Sequence, residues 1–129
     1  HVLVVHSEDG LDEISIAAST KVAELKDGNI EEYSISPQDF DLKFLSIEEL
    51  KVSSPLQSLG LAKKALKGQH QAASQMVAIN AGAALYVSGL VNELKEGVEV
   101  SFESIGKGKG LEKLEQLSSL SQSLAKQNK

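Results

Sequence analysis

The chain of 129 residues contains no cysteine, no arginine and no tryptophan. Without cysteine it forms no disulfide and does no thiolate chemistry, a composition that fits the cytoplasm, which is the expected location. Without arginine there is no planar fork for a carboxylate or phosphate, so an anion would have to be held by lysine, backbone amides or a metal. Aromatic residues make up only 4% of the chain, leaving few faces on which a base could stack. No apolar run approaches the ~20 residues that cross a bilayer, and no signal peptide is visible. Neither nucleic acid nor membrane is therefore an expected partner.

What is present is a globular composition with divided charge. Residues 1–50 carry 12 acidic and 3 basic side chains, whereas residues 51–129 carry 6 acidic and 10 basic ones. The acidic first half would repel nucleic-acid phosphates. His1 stands directly before Val2-Leu3-Val4-Val5, so the sequence opens within an apolar run. A lone strand with no earlier partner is expected to belong to a larger unit, and residues 1–129 are read as one portion of an incomplete α/β domain.

The run Val2 to Val5 suits a strand covered on both faces, as in a parallel sheet flanked by helices. Lys21 to Lys26 and Ile30 to Ile35 flank Asp27-Gly28-Asn29, a strong hairpin signal. Three helical starts follow: Ser36-Pro37-Gln38-Asp39, Ser46-Ile47-Glu48-Glu49 and Ser54-Pro55-Leu56-Gln57. For these serines, helix capping is a better reading than nucleophilic catalysis. Leu56, Leu59, Ala62 and Leu66 then recur at helical spacing until Gly68.

Ala72 to Val91 reads as a buried helix in which Ala81 to Ala84 would let a neighbouring backbone approach. Asn80, if buried there, must find hydrogen-bond partners and is read as structural. Gly89 indicates close packing or an approaching helix end. Asn92 is a candidate N-cap for a helix from Glu93 to Ile105, although Val98, Val100 and Phe102 also alternate as in a strand. Gly106-Lys107-Gly108-Lys109-Gly110 lacks the P-loop spacing and reads as a turn between helices. Leu111, Leu114, Leu117, Leu120 and Leu124 mark a last helix, and Lys126-Gln127-Asn128-Lys129 is expected to fray. The fold class expected is α/β: part of a mostly parallel sheet with a β-hairpin, flanked by several C-terminal helices.

The chemistry concentrates in His6-Ser7-Glu8-Asp9-Gly10-Leu11-Asp12-Glu13-Ile14-Ser15, four carboxylates in a loop after the first strand. Loops leaving the C-terminal ends of strands are where open α/β sheets bind ligands. Adjacent Asp12 and Glu13 can face one ion only if the backbone turns there. Such a pair suits magnesium, which takes one or two protein carboxylates and completes its shell with water and phosphate oxygens. A solvated acidic loop is the simpler reading of the spacing. His6 borders the loop, as a ligand or as a polar strand end. None of His1, His6 and His70 has helical zinc spacing, and the loop lacks a calcium-loop pattern.

The run from Val4 to Ser15 resembles the V-H-G-x-D-G-L-D-E-x-S segment of anthranilate phosphoribosyltransferases. The similarity continues through Val22-Ala23-Glu24-Leu25, Asp27-Gly28, Pro37-Gln38-Asp39-Phe40, Asn80-Ala81-Gly82-Ala83-Ala84-Leu85-Tyr86 and Glu96-Gly97-Val98, nearly the whole chain. The resemblance implies that Asp12 and Glu13 help bind a magnesium ion accompanying phosphoribosyl pyrophosphate. It implies attack of the anthranilate amine on C1 of the ribose, with pyrophosphate leaving, in tryptophan biosynthesis. It further implies a homodimer formed through an earlier helical domain. The family's glycine after the histidine is Ser7 here, its small-Gly-Pro-Thr turn is Ala18-Ser19-Thr20, and its Gly-Gly-Asp is Val52-Ser53-Ser54. No ligand role is carried over to those positions. The Gly-Thr-Gly-Gly-Asp loop, the Lys-x-x-x-His-Gly-Asn segment and the anthranilate-holding arginine have no counterpart, so this looks like the last third of the enzyme, expected to be inactive alone. The alternatives are a related phosphoribosyltransferase, a nucleoside phosphorylase of similar architecture, or a non-catalytic interaction module.

Overall fold

The computed structural model describes residues 1–127. Strands β1 (Val2–Ser7), β2 (Thr20–Lys26) and β3 (Asn29–Ile35) precede two 3-10 turns, Pro37–Phe40 and Glu48–Leu50. Helices α1 (Pro55–Leu66), α2 (Gln71–Val87), α3 (Leu94–Gly106) and α4 (Lys109–Gln127) complete the chain. Asn128 and Lys129, the end of the expected frayed tail, lie outside the described residues.

The sheet is antiparallel throughout, in the order β1-β2-β3, and not mostly parallel. A parallel return needs a crossover, usually a helix, but residues 8–19 between β1 and β2 contain none. Nor is β1 covered on both faces. Val2 and Val4 are 48% and 64% exposed, whereas Leu3 and Val5 pack against the core. The unbroken apolar run conceals a one-sided strand.

The hairpin forms at the expected place. Asp27 and Gly28 both have positive φ, 50° and 80°, as a two-residue type I′ connection requires. Lys26 then pairs with Asn29 and Thr20 with Ile35. This register sends Thr20, Val22 and Glu24 to the buried side. The adjacent Glu31 and Glu32 are both exposed.

Helix boundaries follow capping chemistry with small displacements. The Asp39 carboxylate accepts from both the N–H and the hydroxyl of Ser36, at 2.6 and 2.9 Å, and fixes the first 3-10 turn. Ser46 supports only a second 3-10 turn, accepting from Glu48 N–H at 3.1 Å. Ser54 caps α1 by accepting from Gln57 N–H, and Gly68 lies just beyond the end of α1 with φ 67°. Gly89, with φ 76°, follows the end of α2 at Val87. The segment after Asn92 is a helix and not a strand, although Glu93 occupies the N-cap position.

The buried cluster joins Val22 and Ile35 of the sheet to Ile14, Ile16, Phe40, Ala72, Ile79 and Val98. Helices α2 and α3 cross backbone to backbone at Gly82 and Gly97: a Cβ on Gly82 would stand 2.5 Å from Val98 N. Both glycines are thereby explained by proximity. Helix α4 is amphipathic as its leucine spacing predicts, yet Leu117, Leu120 and Leu124 are all at least half exposed.

Candidate metal-binding loop

The loop that follows β1 is held by its own side chains. Ser7, at the inward-facing end of the strand, is fully buried and donates its hydroxyl to Asp9 Oδ1 at 2.6 Å. Ser15, also fully buried, donates to Asp9 Oδ2 at 2.6 Å. One carboxylate thus spans the loop from its start to its end. Partial burial pushes the Asp9 carboxyl up, but the Ser15 and Ser7 hydroxyls and the Leu11 N–H together outweigh it and hold the group below its ordinary range.

Backbone bonds complete the enclosure. Ser7 N–H donates to Leu11 O at 3.0 Å, Gly10 N–H to Ser7 O at 3.0 Å, and Glu8 N–H to Ser19 O at 2.9 Å. Gly10 sits at φ 88°, a conformation that strongly favours glycine. On the outgoing side, Thr20 Oγ1 accepts from Ser15 N–H at 3.1 Å, and Ser15 Oγ accepts from Ala17 N–H at 2.9 Å. Ser7 and Thr20 therefore act here as buried structural donors and acceptors.

Asp12 and Glu13 lie in a bend at the exposed part of this loop, so the backbone departs from extended geometry where adjacent carboxylates need it to. No cluster of three or more histidine, cysteine or acidic side chains placed to hold a metal occurs among the described residues. The donor set is thus two adjacent carboxylates. That fits magnesium bound through few protein oxygens, with water and phosphate supplying the rest, and does not fit a dedicated all-protein cage.

Asn80 reaches the loop from α2. Its Oδ1 accepts from Ile14 N–H at 3.0 Å, while Nδ2 donates to Ile14 O and to Met76 O, both at 3.0 Å. The need for partners was legible from an amide in an apolar helix, but their location was not. Asp9 carried no signal that separated it from its three acidic neighbours. His6 lies on the outer sheet surface among Val4, Lys21 and Ser34, pointing away from the buried side to which Ser7 contributes. The Val52-Ser53-Ser54 segment serves the start of α1, with Ser53 donating to Gln57 Oε1 at 2.9 Å.

A second polar cluster ties the other end of the sheet to α2. Glu24, only 8% exposed, accepts from Tyr86 OH at 2.7 Å and Tyr33 OH at 2.7 Å, and its Oε1 lies 2.6 Å from His1 Nε2.

An antiparallel sheet backed by helices, with a pinned loop after its first strand that exposes the adjacent carboxylates Asp12 and Glu13, defines an α/β domain. The chain belongs to the glycosyl transferase family, a/b domain, whose family model matches residues 1–111. It is 53% identical over 121 residues to the anthranilate phosphoribosyltransferase of Marinomonas sp. (strain MWYL1), a match covering 92% of this chain and 35% of that protein. The enzyme of that name from Halorhodospira halophila is 46% identical over 97% of this chain and 36% of its own length. Among solved structures, anthranilate phosphoribosyltransferase from Thermus thermophilus aligns with a TM-score of 0.78 at 35% identity, covering 88% of this chain and 33% of that one. The Saccharomyces cerevisiae enzyme in complex with PRPP and Mg shares the fold, with a TM-score of 0.75 at 23% identity over 88% of this chain and 33% of that one. The chain thus spans about 35% of the curated relatives it matches. No helix of the described residues is long and apolar enough to cross a membrane.

Proposed function

We propose that this chain forms the C-terminal part of an anthranilate phosphoribosyltransferase, transferring phosphoribosyl from phosphoribosyl pyrophosphate to the anthranilate amine in tryptophan biosynthesis. The observation that carries this reading is 53% identity, over 92% of the chain, to a protein of that name. The same likeness favours it over a nucleoside phosphorylase or a non-catalytic module. The homodimer and the cytoplasmic location belong to the same proposal for the whole protein.

In this reading Asp12 and Glu13 hold magnesium beside the pyrophosphate. When bound, the ion neutralises charge on the leaving group and orients it. The chain's own contribution is positional. The Asp9 clasp fixes the ends of the loop, and the bend at residues 12 and 13 lets neighbouring carboxylates approach one ion. Their exposure leaves room for water and phosphate oxygens in the remaining coordination positions.

The test is Asp12→Ala, and separately Glu13→Ala, in the complete enzyme, with phosphoribosyl anthranilate formation followed against magnesium concentration. Each substitution is expected to raise the magnesium requirement at least tenfold, the order of loss seen when metal sites are disturbed. An unchanged magnesium dependence in both variants would remove the pair from the metal site. Absence of phosphoribosyl anthranilate formation by the unsubstituted complete enzyme would refute the assigned reaction.

A further inference from the structure

The two exposed carboxylates are flanked by two peptide planes, and each plane is held from outside the pair. A peptide plane includes the α-carbons on both sides of its C–N bond. The Leu11–Asp12 plane carries the Asp12 α-carbon, and its carbonyl accepts from Ser7 N–H at 3.0 Å. The Glu13–Ile14 plane carries the Glu13 α-carbon, and its N–H donates to Asn80 Oδ1 at 3.0 Å. Ser7 is the last residue of β1, so the first hold belongs to the sheet. The second comes from α2, 66 residues further along the chain.

The Asn80 amide grips both polar backbone groups of Ile14. One Nδ2 hydrogen serves Ile14 O and the other Met76 O, a backbone carbonyl of the same helix. This fixes which way the amide faces. A flipped Asn80 would set its NH2 against Ile14 N–H and its oxygen against two carbonyls. Ile14 itself is buried in the core, so the amide and the packing restrain the same residue.

We propose that Asn80 is a positioning residue for the Asp12–Glu13 magnesium site, holding Glu13 at the separation from Asp12 that one ion needs. This rests on the metal reading of the preceding subsection. Asn80 touches neither substrate nor metal in this role; it acts through the backbone of Ile14. A carboxylate pair with only one α-carbon restrained would have to be ordered by the ion at the moment of binding, and that ordering entropy would appear as weaker affinity.

The experiment titrates Mn2+ as a probe for magnesium into the complete enzyme with phosphoribosyl pyrophosphate, counting free Mn2+ by its electron paramagnetic resonance. Thermal unfolding without metal is recorded alongside. Asn80→Ala is expected to weaken Mn2+ binding about tenfold, and Asn80→Asp, which keeps an acceptor for Ile14 N–H but sets a carboxylate oxygen against the Ile14 and Met76 carbonyls, by a similar amount. Asp12→Ala serves as the reference for a damaged site. If Asp12→Ala weakens binding while Asn80→Ala lowers only the unfolding temperature, Asn80 is merely structural and the inference is overturned. If Asp12→Ala and Glu13→Ala both leave binding unchanged, the metal reading itself fails. Should Asn80→Ala not fold, Asn80→Asp decides, with unchanged Mn2+ affinity overturning the proposal and reduced affinity supporting it.

Discussion

Gly82 and Gly97 meet across the α2–α3 crossing so closely that a Cβ on Gly97 would collide with the Gly82 carbonyl oxygen. The obstacle in each direction is backbone, which cannot rotate aside as a side chain can. Alanine gains up to about 1 kcal/mol over glycine in a helix interior, but overpacking a tight site costs about 1–3 kcal/mol and more where backbones must separate. Overpacking wins, so Gly82→Ala and Gly97→Ala are each expected to destabilise by about 3 kcal/mol in urea denaturation. Gly60 in α1 is the internal control. A Cβ there meets nothing within 4 Å, so Gly60→Ala should stabilise by about 0.5–1 kcal/mol.

How far the sequence discloses this fold depends on whether the controlling contact is local. Asp27-Gly28 specifies its turn through two residues' own backbone preferences, and the hairpin appears where the dipeptide stands. The Ser54 cap and the Gly68 stop are likewise set within a few residues. The direction of the sheet is different. Val2 to Val5 is apolar throughout, but which of its faces is covered depends on elements distant in sequence. Asn80 shows the same division, since the need of a half-buried amide for partners is legible while a partner at Ile14 is not. The Asp12–Glu13 pair was identifiable by residue type, but its restraints at both ends required the folded chain.

The Asp9 clasp gives the loop an acid limit. Its folded carboxyl lies below the ordinary value of 3.8, so the unfolded chain takes up a proton first as pH falls. The contribution is present above that value and is lost as pH drops through the folded one. Asp9→Asn cannot accept at both ends and should cost about 1 kcal/mol at neutral pH, a modest figure because the carboxylate is largely exposed. The stability curves of the variant and the parent should converge in acid. Curves that stay parallel below the ordinary carboxyl range would show that the ionised Asp9 does not support the fold.

Glu24 should control the titration of both tyrosines, the only two in the chain. Burial and the Glu24 hydrogen bond push the Tyr33 hydroxyl well above its ordinary value of 10.0. For Tyr86 the Glu24 bond is the larger cause, followed by burial, with Lys26 acting in opposition. A raised phenol contributes stability that is intact below about pH 10 and lost as pH rises towards the folded value. With no tryptophan in the chain, phenolate absorbance reports these groups directly. Glu24→Gln is expected to bring ionisation of both tyrosines to lower pH and to cost about 1 kcal/mol, through imperfect pairing of partly buried hydroxyls. An unshifted absorbance titration would show that Glu24 does not hold them.

The 129-residue chain by itself is expected not to form phosphoribosyl anthranilate. In the proposed reading it supplies two carboxylates to magnesium, but it has no arginine with which to grip a carboxylate or phosphate bidentately. Its one glycine-lysine repeat supplies no substitute cradle. Gly106 ends α3, Lys109 begins α4, and a Cβ on Gly110 would stand 2.9 Å from Leu66 Cδ2. That segment is occupied in turning one helix into the next and packing it on α1. The remaining cations are lysines, which act as point charges and do not reproduce a planar fork. Assaying the isolated chain with magnesium, phosphoribosyl pyrophosphate and anthranilate therefore separates holding a metal from performing the transfer. Turnover above background would mean that Asp12, Glu13 and lysine suffice, and that the groups expected elsewhere in the enzyme are dispensable for the chemistry.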